Sequence, residues 1–434
     1  MSNKRNRKPG LVVGKYRITP LGLVTLAVII LLIAAVIVLV VLDPFGGSDT
    51  KKPDPAVKQP AVQNNVEATQ QPAPVDATAT PVPTEVPGLR SATIRSLGEI
   101  AMENNLLKSA MAGDSFDFSD MFSEIADVVA DADYTIADVE GAMGDTTSYS
   151  GKAKKMITPS SLLTALKDSG VDMLMMANDH ALDGGFAEHI AAVNNVAAAG
   201  LDYVGAATSD EEQKSPVIKN INGINVGFLA YTSSLNGYEK YAGYGVNLVS
   251  KRNAADDVKA LEKAGADVVV AYVSWGEMFD RSVSSSQKKI AQALTKAGAD
   301  VIIGYNPHVI QPVSWLEATD ANGNVNRALC LGATGNFLSD QRSKYRDSGV
   351  IFEFTIQEKS DYSGFEIVNP TYIPTYVWRD AGEDGVYSYR TMAVGEWLEN
   401  APESMDYSDV TRMREVWAEA QSILGTDVAK VSAN

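Results

Sequence analysis

The chain has 434 residues, 45% hydrophobic and 21% charged, with a formal net charge of −17. Beyond residue 90 lie 27 basic and 48 acidic residues, a formal charge of −21, which argues against nucleic acid or anionic lipid as a partner of that region. Cys330 is the only cysteine, so no intrachain disulfide can form, and its setting in Arg-Ala-Leu-Cys-Leu-Gly reads as a buried strand.

Residues 1–20 carry six basic side chains, Lys4, Arg5, Arg7, Lys8, Lys15 and Arg17, and no acidic one. The next 22 residues, 21–42, hold no charge. At about 1.5 Å per residue they are long enough to cross a hydrocarbon core of about 30 Å. A cleaved signal peptide has an apolar region of only about 7–15 residues, so this run reads as a retained transmembrane helix. The basic tail before it and Asp43 after it place the N-terminus in the cytoplasm. The expectation is a single-pass protein of the cell membrane with its main domain extracellular. Residues 43–90 hold nine of the 18 prolines and no apolar periodicity, so they read as a disordered linker. At about 3.1 Å per residue that linker reaches on the order of 100 Å at most.

From 91 to 434, helical apolar patterns alternate with short β-branched runs, the pattern of a layered α/β fold with mainly parallel strands. One unit recurs three times: a helix end, a glycine, an aspartate, a strand, then a polar loop. Its copies run from Leu166 to Asn178-Asp179-His180, from Leu261 to Ser274-Trp275-Gly276-Glu277, and from Leu294 to Tyr305-Asn306-Pro307-His308. Glycine suits the left-handed stop of a helix, and the apolar run after it suits a strand buried on both faces. The polar loops fall at the carboxyl ends of the strands, where open α/β sheets form their ligand crevice. Two of the three histidines, His180 and His308, lie in these loops, whereas His189 falls within the following helix and reads as structural. Asp114, after Ala110-Met-Ala-Gly113, and Glu140, after Tyr134–Val139, are further acidic candidates for the same crevice.

Taken in order, these motifs resemble the CapA family of capsule or poly-γ-glutamate synthesis proteins, over roughly residues 106–376. Gly113-Asp114 resembles its first ligand turn, Asp138-Val139-Glu140 its Asn-x-Glu, and Ala177-Asn178-Asp179-His180 its Ala-Asn-Asn-His. Ser274-Trp275-Gly276-Glu277 is similar to its His-Trp-Gly segment, Asn306-Pro-His308-Val-Ile-Gln311 to its His-Pro-His-Val-x-Gln, and Gly335-Asn336-Phe337 to its Gly-Asn-Phe. The resemblance implies a layered α/β sandwich of metallophosphatase type, and a role in synthesis of capsule, poly-γ-glutamate or another envelope polymer in a bacterium. The implied partners are the membrane, an anionic envelope polymer and a membrane complex that makes it.

By the same resemblance Asp114, Glu140, Asp179 and His308 are metal ligands and His180, with Asp179, is catalytic. Trp275, Glu277, Asn178, Asn306 and Asn336 line the substrate. Asp179, Ser274 and Asn306 depart from the pattern, which leaves enough donors for one ion and few for two. The exchange of imidazole for oxygen donors favours Mg, Mn or Ca over Zn. Two functions compete: an accessory or binding role around a degenerate metal site, and a metal-dependent hydrolase or transferase. Glu277 or Asp280 could supply a replacement ligand.

Overall fold

The computed structural model describes residues 88–144, 148–382, 385–401 and 405–425, together with a short antiparallel pair, Val12–Val13 with Tyr16–Arg17. The expected transmembrane helix at 21–42, and all but the end of the linker at 43–90, lie outside the described residues. No helix among the described residues is long and apolar enough to cross a membrane. The chain divides into two units, Met1–Pro74 and Val75–Asn434, and the second carries the candidate site.

The first sheet of that unit begins with β1 (Ser91–Ile100), β2 (Tyr134–Val139), β3 (Met173–Met175) and β4 (Asp202–Val204), parallel neighbours in the order β4-β3-β2-β1. The second sheet holds β5 (Val217–Ile221), β6 (Ile224–Thr232), β7 (Val268–Ser274), β8 (Val301–Tyr305), β9 (Val313–Thr319) and β10 (Val325–Leu331). Its order is β5-β6-β7-β8-β10-β9, parallel from β6 through β10 with an antiparallel strand at each edge. The short β11 (Asn336–Leu338) returns to pair with the end of β1. Then β12 (Ser348–Glu358), β13 (Phe365–Ala381) and β14 (Tyr387–Ala393) extend the first sheet as an antiparallel meander. The parallel expectation therefore holds for the two centres. The antiparallel wing arises where direct connections, with no crossover helix, join β12, β13 and β14.

The sheets pack face to face through Ile94, Ile136 and Met175 on one side and Phe228, Tyr272 and Ile303 on the other, all essentially inaccessible to water. Helices α1 (Ser161–Asp168) and α2 (Phe186–Ala198) cover the outer face of the first sheet, and α3 (Ala254–Lys263) and α4 (Ser285–Ala297) that of the second. The result is a four-layer α/β/β/α sandwich. Burial of these apolar faces, at roughly 25 cal/mol per Å2, is the main favourable contribution. A last helix, α5 (Tyr407–Leu424), packs Met413 and Val416 on Trp378 and Met392 of the antiparallel wing.

The repeated unit has a physical rationale in each part. Gly170, Gly265 and Gly298 follow α1, α3 and α4 with φ of +94°, +96° and +110°, a conformation that stops a helix and that side chains resist. The aspartates pin register. The Asp172 backbone N–H donates to Thr135 O at 2.9 Å while its carboxylate accepts the Thr135 N–H at 2.9 Å. Asp267 clamps Asn225 and Asp300 clamps Val269 in the same two-point way, with carboxylate contacts of 2.8 Å each. These clamps sit at the amino ends of the strands, so the carboxyl ends arrive level at the opposite side.

Candidate metal centre at the strand ends

At the carboxyl end of β1, strand register sets Glu99 beside Asp138 of β2 on one side and Asn336 of β11 on the other. The residue before it must be glycine: a Cβ on Gly98 would lie 2.5 Å from Gly335 O and 2.9 Å from Phe337 N, so only the bare backbone lets β11 dock. Glu140 follows β2 with its N–H on Ile100 O at 3.0 Å. From the second sheet, the loop after β8 brings His308 across. Asn306 and His308 both hold left-handed φ, +89° and +56°, which non-glycine residues adopt only where the surroundings impose it.

These side chains meet in one buried group. His308 donates its backbone N–H to Glu99 Oε1 at 3.1 Å, and its ring places Nδ1 3.4 Å from Glu99 Oε2 and Nε2 3.4 Å from Glu140 Oε1. One ligand atom from each of Glu99, Glu140 and His308 lies within 4.8 Å of the others, a group that could hold a metal ion. Asn336 Oδ1 faces His308 Nδ1 at 2.9 Å, and its amide donates to Arg346 O at 2.7 Å. An outer partner of this kind fixes ring orientation and tautomer. Alongside, His180 Nδ1 sits 2.6 Å from Asp183 Oδ2 and Nε2 3.8 Å from Asp179 Oδ2. Asn178 donates to Asp138 Oδ1 at 3.0 Å and to Val139 O at 2.9 Å, bracing the β2 end. Asn236, an exposed residue at φ +51°, donates to Asp179 Oδ2 at 2.9 Å and covers it from the solvent side.

The electrostatics are those of a site with excess buried acid. Burial pushes the Glu99 carboxyl up to about 7 and Glu140 up to about 8, against the pull of His308. Burial, and then Glu140, hold Asp138 well above the ordinary carboxylate range. For His308 burial opposes the charged ring, but Glu140 and Glu99 outweigh it and raise the imidazole to about 10. Burial likewise opposes the His180 imidazolium, which Asp183, Asp179 and Glu140 nonetheless raise to about 9. Glu99 Oε2 and Asp179 Oδ1 are buried and accept no hydrogen bond among the described residues. Buried carboxylates are tolerated when paired or coordinating a cation, so donor set and orphaned oxygens both fit one hard divalent ion.

The structure relocates several expected residues. Asp114 is exposed in the small hairpin of Met111–Ala112 and Ser115–Phe116, outside the buried group. The reason is local: Ala110-Met-Ala is not a core strand, and Met111 is 60% exposed. Glu99 is the acid that stands in the buried group, and its signal in the sequence is a single Gly-Glu inside the otherwise uncharged run Ser96–Met102. Trp275 is 1% exposed, packs in the outer layer with Leu261 and Leu294, and donates its indole N–H to Gly332 O at 2.8 Å. Glu277 and Asp280 are exposed and supply no replacement ligand; Asp280 instead accepts from Ser282. Asn306 turns its amide to Trp275 O and Gly276 O, at 3.2 and 3.1 Å. Asn178 and Asn336 are fully engaged in bracing rather than open to a substrate. His189 is buried in α2 with Nε2 2.9 Å from Gly245 O, a structural position.

The chain resembles known proteins in part. Solved structures that superpose in part include a novel phosphatase from Mycoplasma pneumoniae, at TM-score 0.36 and 13% identity over 66% of this chain and 94% of that one. The Thermus thermophilus sulfate thiohydrolase SoxB overlaps at TM-score 0.32 and 11% identity, over 66% and 43%. Similarities that low carry no argument. Sequence relatives are more telling: the capsule biosynthesis protein CapA of Bacillus anthracis is 28% identical over 245 residues, 53% of this chain and 56% of that protein. The PGA biosynthesis protein CapA of Bacillus subtilis is 26% identical over 245 residues, 53% of this chain and 60% of that one. The chain thus spans less than two thirds of the length of either relative. The profile described as bacterial capsule synthesis protein PGA_cap matches residues 93–341, a span that contains Glu99, Glu140, His180, His308 and Asn336, and covers more than half of the sequence. On that match, the chain belongs to the bacterial capsule synthesis protein PGA_cap family.

Proposed function

We propose that this chain serves the assembly of an anionic capsule-type polymer at the cell envelope, as a metal-dependent hydrolase or transferase with a single-ion centre. The observation that carries the reading is the buried Glu99–Glu140–His308 group, in which Glu99 Oε2 accepts no hydrogen bond. The polymer class follows the names of the relatives, and the envelope setting follows residues 21–42 as a membrane anchor with residues 43–90 as its tether.

Glu99, Glu140 and His308 would hold a divalent cation, Mg, Mn or Ca in preference to Zn, whose chemistry is to polarise the scissile bond and acidify water. His180 is the proton-transfer group. Its Nδ1 is held 2.6 Å from Asp183, which leaves Nε2 to pass a proton to a leaving oxygen. Asp179 lies 3.8 Å from that Nε2 and keeps the ring protonated between turnovers. Asn336 orients His308, and Asn178 orients Asp138 and the Glu140 turn.

An accessory, binding-only role remains the second reading, favoured by one observation: Asn306, where the family resemblance implies a histidine, spends its amide on backbone carbonyls of the β7 loop. The cation that the ligand group would hold then binds a polymer anion without turning it over. Purified full-length protein in detergent separates the two. Stoichiometric manganese together with phosphodiester turnover that vanishes in His180→Gln supports the hydrolase; stoichiometric manganese with no turnover selects the accessory role. A chain that takes up no divalent ion overturns both.

A further inference from the structure

Two arginines beside the metal centre lack a carboxylate partner. Among the described residues Arg90, Arg95, Arg252, Arg379, Arg390 and Arg412 each meet a carboxylate. Arg281 and Arg346 meet none, nor do Arg327, Arg342 and Arg414, and neither the Arg281 nor the Arg346 guanidinium donates a hydrogen bond to a described residue. Both lie over aromatic faces instead: Arg346 Cζ is 3.2 Å from the centre of the Phe279 ring, and Arg281 Cζ 3.8 Å from that of Tyr345. Stacking of this kind holds the guanidinium plane while leaving its N–H edge open for a carboxylate or phosphate.

The position of this pair is tied to the metal centre. The Phe279 ring lies 5.9 Å from the His308 ring, and its N–H donates to Pro307 O at 2.8 Å. By a second route Arg346 O accepts the amide of Asn336, whose Oδ1 faces His308. Phe279 is 36% exposed, so the stack opens to solvent where the rest of the centre is closed. Phe279 and Tyr345 both hold left-handed φ, +68° and +73°, matching the strained Asn306 and His308 beside them. Phe279 and Arg281 lie within the family match, and Arg346 lies just past its end at residue 341.

We propose that Arg281 and Arg346 form an oxyanion-binding wall at the mouth of the site, which grips a carboxylate or phosphate of the polymer next to the reacting segment. This assignment rests on the single-ion polymer site described above. The wall explains how an acidic protein can approach an anionic polymer: two guanidinium edges meet the polymer first, and the buried acids behind them face the cation rather than the chain.

The test uses the full-length protein in detergent with manganese present, and two anionic probes against a neutral dextran: poly-γ-glutamate oligomers and inorganic polyphosphate. Arg281→Gln with Arg346→Gln should weaken one or both anionic probes about tenfold or more, the loss expected for charge-assisted hydrogen bonds, and flatten the salt dependence. Loss for polyglutamate identifies a carboxylate polymer, and loss for polyphosphate alone a phosphate source. Arg346→Lys should restore part of the affinity through its charge. Arg281→Glu alone, at a half-exposed position, gives the same reading should the double variant fold poorly. Affinities for both probes that stay at the parent value in every variant overturn the wall. Manganese uptake is read in parallel. Normal uptake with unchanged anion affinity overturns the wall and leaves the metal reading standing; no uptake with anion affinity lost in the variants does the reverse.

Discussion

His308, in the loop after β8, donates its backbone N–H to Glu99 Oε1 of β1 at 3.1 Å, and its ring lies 3.4 Å from the other oxygen of the same carboxylate. One glutamate of the first sheet therefore holds both the backbone and the imidazole of a residue carried by the second. The site is one of the links between the two sheets, so a change there is read in metal affinity and in stability together.

Glu99→Gln removes a ligand oxygen and keeps the shape, whereas Asp114→Asn alters an exposed hairpin. Manganese affinity should fall in Glu99→Gln by more than the roughly 10–100-fold typical of an outer-shell residue, and Asp114→Asn should match the parent. Calorimetric titration of both variants checks it. Equal losses would return Asp114 to the ligand set.

Asn336 touches the metal group only through His308. Asn336→Ala should cost about 10–100-fold in manganese affinity, because the imidazole loses the partner that sets its tautomer. Asn336→Asp keeps an oxygen facing Nδ1 and should recover most of it.

In the metal-free state, stability should fall as pH rises. His308 titrates near 10 in the fold against 6.5 unfolded, so its contribution is complete below 6.5 and lost as pH passes 10. Glu99 and Glu140 titrate near 7 and 8 against 4.5 unfolded, so between those limits the folded chain binds more protons and deprotonation disfavours it. All three signs agree. With EDTA present the thermal midpoint should decline from about pH 5 to about pH 9, and manganese should offset the decline most at the alkaline end, where it no longer competes with protons. A midpoint that climbs with pH under EDTA would contradict the burial of these acids.

His180→Gln should lower turnover of a phosphodiester by about 100- to 10,000-fold, the usual worth of a placed general acid, with manganese stoichiometry unchanged. Asp183→Asn should shift the alkaline limb of the pH–rate profile downward, since the carboxylate that keeps the His180 ring protonated is gone.

Arg412 of α5 meets both oxygens of Asp347 and also Glu419, all near 2.9 Å, with 16% of its side chain exposed. Arg412→Ala leaves two acids facing each other and should cost about 2 kcal/mol or more by urea denaturation. Asp347 follows Arg346 directly, so the same variant should loosen the loop that carries the wall and weaken poly-γ-glutamate binding without reducing manganese uptake.

Much of this was legible in the chain. Helix periodicity, the stops at Gly170, Gly265 and Gly298, and the apolar runs after them gave the α/β class and the crevice at the strand ends, because each rests on neighbours within a few residues. The same local signals marked Glu140, His180 and His308 as residues ending strands. Gly113-Asp114 and Gly98-Glu99 look alike locally, and only the pairing of β1 with β2 and β11 tells a core strand end from an exposed hairpin. The packing of Trp275 is not legible locally, because a strand's alternation does not continue into the loop after it.

The sequence by itself determined the layered α/β class, the thrice-repeated helix–glycine–strand unit and the residue types available in the loops at the strand ends, since these follow from short-range sterics and burial. Which of the acids meet, which asparagines are consumed in bracing, and that Phe279, His308, Asn336 and Arg346 touch were decided by tertiary structure alone. Those contacts join segments far apart in the chain across two sheets, and no local pattern carries the register that brings them together.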